Sequence, residues 1–170
     1  MHKQRAFSLL ELVIVMGIVV VMAAIALPRY GAAHARYGVD LAARRIAADL
    51  AYAQKLARQT SGAQGVDFDA AADTYGLVDV NDIDRAGTPH TVYVSGEPYR
   101  CDIVSASFEN ANGYISISRV RFNMWGQPEN GHPLGGHPFA PMVDGSIVIQ
   151  AGTETRTITI APITGKVSIQ

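Results

Sequence analysis

The sequence predicts an α+β protein in which one long N-terminal helix packs on an antiparallel β-sheet domain. Residues 7–27 form an apolar run interrupted by a single acid, Glu11. Beyond it Val39, Ala43, Ile46, Leu50, Ala53 and Ala57 recur at spacings of four and three, the stripe of an amphipathic helix. From Gly65 onward the apolar period changes to two, with Gly, Asn and Asp at the breaks, which is the pattern of strands joined by turns.

A helix of about 20 apolar residues crosses a bilayer, and residues 7–27 meet that length. An acid inside such a helix costs roughly 2.5–3.5 kcal/mol on insertion scales, so Glu11 needs a partner. Lys3 and Arg5 precede the run, and flanking positive charge stays on the cytoplasmic side. The rest of the chain then faces the periplasm or the exterior. Pro28 removes one backbone donor and is expected to kink or loosen the helix where it leaves the membrane. The helix continues as an amphipathic segment over 29–61, with Arg36/Asp40 and Arg45/Asp49 as i,i+4 pairs on the side away from the stripe. Ser61-Gly62 ends it.

The domain over 62–170 begins with a hairpin, 65–69 and 74–80, joined by the polar turn 70–73. Residues 91–94 and 103–108 are expected as further strands. In the stretch 114–118 the apolar alternation falls on odd positions, Ile115 and Ile117, whereas Val120 and Phe122 put it on even ones. A slip of one residue reverses every side chain, so a bulge is expected near Ser118-Arg119. Asp144-Gly145 and Ala151-Gly152 then delimit a terminal meander of 146–150, 155–161 and 167–169.

The leader carries a resemblance. A basic leader that runs into FSLLELVIVMGIVVVMAAIALPRY closely resembles the class III leader of type IV pilins and type II secretion pseudopilins. The resemblance implies that a prepilin peptidase removes residues 1–6 by cutting between Ala6 and Phe7 and methylates the new amino terminus at Phe7. Ala6 stands where the family usually has Gly. Glu11 matches the family's acid at the fifth mature position and Pro28 its proline at the twenty-second. The implied assembly salt bridge joins Glu11 to the methylated amino terminus of Phe7 in a neighbouring subunit.

Further along, the helical stretch 46–59 followed by the strand 64–68, the stretch Arg121-Phe122-Asn123-Met124-Trp125-Gly126-Gln127-Pro128 and the ending 158–169 are similar to the GspH/FimT group of minor pilins and pseudopilins. That resemblance implies a pilin-like fold.

Other chemistries find little in the residues. The 170-residue chain has a formal net charge of −1, and loss of the leader's Lys3 and Arg5 makes it more negative, which gives no general push toward nucleic acid. Cys101 is the only cysteine, so no internal disulfide forms, and it reads as a buried structural thiol. Residues 79–84 alternate acids as a calcium loop does, but lack its glycine and distal glutamate, and so read as a solvated acidic loop. His132 and His137 sit in the Gly/Pro-rich stretch 130–141, expected as an exposed loop, where a zinc pair would lack a third ligand. No nucleophile motif or phosphate-cradling loop is present around His90 or Ser95-Gly96-Glu97. No metal, cofactor or enzymatic activity is expected.

Taken together, the residues and the resemblance imply a structural subunit of a periplasmic pilus-like fibre, held as a single-pass protein of the bacterial inner membrane and acting in type II secretion or type IV pilus assembly. The partners implied are other pilin or pseudopilin subunits met through the N-terminal helix, the prepilin peptidase and an inner-membrane assembly platform. Two alternatives stay open. One is a DNA-binding minor pilin of natural transformation, which the sparse basic charge disfavours. The other is a membrane-anchored periplasmic binding domain that never polymerises.

Overall fold

The computed structural model describes residues 8–81, 87–132 and 135–170, the side chains of 26–29 excepted. Its architecture is the α+β class expected: one helix, α1 (Leu9–Thr60), followed by antiparallel strands. The chain divides into two compact units, Met1–His34 and Ala35–Gln170.

In the second unit, the expected stripe is the buried face of α1. Val39, Ala43, Ile46, Leu50, Ala53 and Ala57 are all fully buried, joined by Ala42. Four alanines on that face let the strands approach the helix closely, while Ile46 and Leu50 supply bulk, each contributing about 1.5–3 kcal/mol on burial. Ser61 adopts a left-handed φ of 52° and the Gly62 N–H donates to the Ala57 carbonyl at 3.2 Å. This bond satisfies one of the carbonyls left free at a helix end.

The strands are β1 (Gln64–Asp69), β2 (Thr74–Asn81), β3 (Pro89–Tyr93), β4 (Asp102–Asn110), β5 (Ile115–Ser116), β6 (Arg119–Phe122), β7 (Pro128–His132), β8 (His137–Ala151), β9 (Glu154–Ile160) and β10 (Val167–Ile169). They run in the order β10-β9-β8-β7-β6-β1-β2-β3, with β4 joined to β8 and β5. The long strand β8 belongs to both halves of this sheet. Its first part pairs with β7 and its second part with β4 and β9. Phe68, Tyr75, Phe108, Phe122, Ile147, Ile149 and Ile158 point into the core shared with α1.

Three expectations need correction. The phase slip near Ser118-Arg119 is not a bulge but a change of partner: β5 pairs with β4, whereas β6 pairs with β1 and β7. The Ser116 hydroxyl holds the crossover, accepting from the Ser118 and Arg119 N–H groups at 3.3 and 3.0 Å. A bulge does occur at Val143, where Asn110 faces Met142 but Glu109 faces Asp144. The extra residue shifts the buried set of β8 from Ala140 and Met142 to Ile147 and Ile149. Second, residues 130–141 are not a free loop, because β7 and the start of β8 pair through Asn130↔Ala140 and His132↔His137; residues 133–134 lie outside the described residues. Third, Arg36 and Asp40 do not pair with each other. Arg36 bonds Glu154 at 2.9 Å and Asp40 accepts from Arg156 at 2.7 Å, so both tie α1 to β9. Arg45 does pair with Asp49 at 2.9 Å, but Asp49 is buried and turned toward the sheet.

Candidate functional site

The first unit presents the residues that the sequence singles out. α1 is long and apolar enough to cross a membrane by length and composition, and its large apolar side chains from Leu9 to Ile25 are all at least 52% exposed. A contiguous apolar surface of that size marks a membrane or protein contact. Glu11 lies in the first turn of α1, where the helix dipole favours an acid. It is exposed and makes no ion pair among the described residues. Ala6 and Phe7 lie outside the described residues, whereas the backbone of α1 is assigned as helix through Pro28.

In the second unit the turn around residues 123–127 and the turn around 161–165 come together. Gln54 Nε2 donates to the Gly126 and Thr164 carbonyls, both at 2.7 Å, and Arg58 Nε donates to the Trp125 carbonyl at 3.0 Å. Asn123 Oδ1 closes the first turn by accepting from the Trp125 and Gln127 N–H groups at 3.1 and 3.0 Å. Gly126 has φ 76°, and a Cβ there would lie 2.2 Å from Arg58 Nε, so only glycine lets the arginine reach the turn. The glycine of the motif is therefore a packing requirement of the helix–sheet contact.

The histidines do not converge. His132 and His137 face each other across β7 and β8, and His137 stacks on Tyr114 with ring centroids 4.4 Å apart. His90 sits on β3. No group of three metal-ligating side chains occurs among the described residues. The arginines that would have to form a cationic patch are each engaged: Arg119 with Asp67, Arg121 with Glu129, and Arg156 with Asp40. Arg121 also lies 3.2 Å over the Phe139 ring. Cys101 is buried and donates to the Tyr99 carbonyl at 3.1 Å, and burial together with the charge of Asp102 pushes its thiol up to about 11.

Residues 1–27 match the family described as the prokaryotic N-terminal methylation motif. The chain carries a type IV prepilin leader. No curated protein matches the chain. Among solved structures it is similar to the crystal structure of the type IV minor pilin FimU of Pseudomonas aeruginosa (strain PAO1), at 15% identity over 79% of this chain and 88% of that one, with a TM-score of 0.43.

The methylation motif and the exposed apolar part of α1 both fall in the first unit. Residues that sequence reasoning missed belong to the second. Asn110 and Asn130 are buried; Asn110 Nδ2 donates to the Asn130 carbonyl at 2.8 Å, and Asn130 Nδ2 to the Phe108 carbonyl at 2.5 Å. They bind β4 to β7 where these strands are not sheet neighbours. An Asn in an alternating strand otherwise signals only a turn, so no local pattern identifies this pair.

Proposed function

We propose that the chain is a minor pilin or pseudopilin of the GspH/FimT type, a structural subunit of a pilus-like fibre acting in type II protein secretion or type IV pilus assembly. A prepilin peptidase cuts between Ala6 and Phe7 and methylates the Phe7 amine. The helix holds the protein in the inner membrane, N-terminus on the cytoplasmic side, until an assembly platform moves it into the fibre. There Glu11 pairs with the methylated amine of Phe7 in the neighbouring subunit.

The observation that supports this reading is the combination of a methylation motif over residues 1–27 with an exposed apolar helix whose acid has no partner among the described residues. A plain membrane anchor gains nothing from a carboxylate in its first turns, which costs free energy in lipid. A neighbour's ammonium group restores that loss, because opposite charges attract far more strongly at low dielectric than in water. The methylated amine, still a cationic ammonium, and the retained acid then give each subunit one donor and one acceptor for a continuous fibre.

The test is Glu11→Ala. The variant is expected to insert into the membrane at the wild-type level and to be missing from sheared fibres or the fibre fraction. Wild-type incorporation of the variant would overturn the assembly reading in favour of a simple anchor.

A further inference from the structure

In the first unit the residues 12–28 carry no charge, and the charged residues that bound them are Glu11 before and Arg29 after. The backbone is helix throughout this stretch. At a rise of 1.5 Å per residue, Glu11 and Tyr30 are about 28 Å apart along the axis, close to the roughly 30 Å of a bilayer's hydrocarbon layer.

Past the uncharged run the surface changes character. Tyr30 is 74% exposed, and His34, one turn later, is exposed as well. Their rings lie 6.5 Å apart at an interplanar angle of 51°. Each ring has an apolar body and a polar edge, the chemistry that favours Tyr where a helix passes from hydrocarbon into headgroups. Gly31, Ala32 and Ala33 between them are small and exposed, so the two aromatic side chains dominate that turn.

Two placements of the helix in a bilayer compete. With residues 7–27 in the hydrocarbon, Glu11 lies about 6 Å inside it and Tyr30 beyond its far edge. With the uncharged run there instead, Glu11 and Tyr30 fall at the two boundaries. The second placement leaves the carboxylate in reach of water, where an acid costs least, and gives the rings the interface they suit.

We infer that the Tyr30–His34 pair docks in the phospholipid headgroup layer of the leaflet from which the chain continues into the second unit, holding Glu11 at the opposite boundary of the hydrocarbon. The carboxylate stays hydrated while the helix is in the bilayer and meets low dielectric only on transfer into a fibre. Its demand for a neighbour's ammonium group therefore rises at assembly. This inference rests on the membrane-spanning part of the fibre-subunit reading, to which it adds a fixed depth.

The experiment uses the full chain in vesicles of phosphatidylethanolamine and phosphatidylglycerol, with Trp125→Phe to remove the native indole. Leu10→Trp, Val20→Trp and Tyr30→Trp are made singly, at positions that are all exposed, so the new ring meets no protein contact. Quenching is compared between phospholipids brominated at the glycerol end and at the methyl end of their chains. Tyr30→Trp and Leu10→Trp are expected to be quenched roughly threefold more by the glycerol-end bromines, and Val20→Trp more by the methyl-end ones, as for a helix anchored at both interfaces. If Val20→Trp behaves so, but Tyr30→Trp answers only to a water-soluble quencher or Leu10→Trp is quenched as deeply as Val20→Trp, the depth is overturned and the membrane span stands. If neither lipid quenches Val20→Trp, the span fails, and the fibre-subunit reading with it.

Discussion

The Tyr75 phenol donates a 2.7 Å hydrogen bond to Asp49 Oδ2, and the same oxygen accepts from Arg45 Nε at 2.9 Å. Tyr75 is 2% and Asp49 9% exposed, so strand β2 and helix α1 are joined through the core by a carboxylate that has left water. Burial and the neighbouring Asp49 charge hold the phenol well above its ordinary value, which keeps it a donor.

Removing that donor leaves the carboxylate with Arg45 as its remaining side-chain partner. Tyr75→Phe is expected to destabilise the protein by about 1–3 kcal/mol, the cost of a buried polar group that loses a partner. Urea unfolding of the full chain in detergent micelles, followed by circular dichroism, measures it. A variant as stable as wild type would mean that water already satisfies Asp49.

Cys101 and Tyr75 set the response to alkali. Both have pKa values raised in the fold, Cys101 from 9.0 to about 11 through burial and then Asp102, and Tyr75 from 10.0 through burial and then Asp49. The protonated forms are the ones favoured in the folded state, so the contribution is complete below the unfolded values and is lost as pH rises through the folded ones. Stability is expected to fall from about pH 9 upward, and Cys101→Ala to flatten the part of the curve between 9 and 11. Native Cys101 is also expected to react with a thiol reagent only after unfolding; fast labelling at neutral pH would contradict its burial.

Processing is read from the mature terminus. Mass spectrometry of the protein purified from a cell with a prepilin peptidase is expected to begin at N-methylated Phe7. An intact leader, or a cut beyond Leu27, would remove the pilin reading.

No useful DNA binding is expected from the globular domain. Affinity for DNA rests largely on cations that neutralise phosphates, and Arg119, Arg121 and Arg156 are each held by a carboxylate. Non-specific DNA binders show dissociation constants of roughly 10⁻⁴–10⁻⁶ M at physiological salt. Salt-sensitive micromolar binding in an anisotropy titration, lost on Lys166→Ala, would instead favour the transformation alternative.

The leader, the apolar helix, the buried stripe from Val39 to Ala57 and the first hairpin were all legible in the sequence. Each is a local pattern: a charge flank, a run length, a period of 3.6 or of two. Local sterics and hydropathy set such patterns within about a dozen residues, and the sheet that packs on the helix does not alter them. The α+β class follows from their order along the chain.

What only the tertiary structure decided depends on partners distant in sequence. The slip between Ile117 and Val120 looks the same whether one strand bulges or two strands part company, and only the positions of β1 and β4 choose between them. Arg36 and Asp40 have the spacing of a helix pair, yet Glu154 and Arg156 on β9 take them instead. Gly and Pro in 130–141 suggest a loop, whereas pairing with β7 makes much of it strand. In each case the local options are close in energy, and long-range contacts, whose partners no window of sequence contains, select the one that fills the core and satisfies the charges.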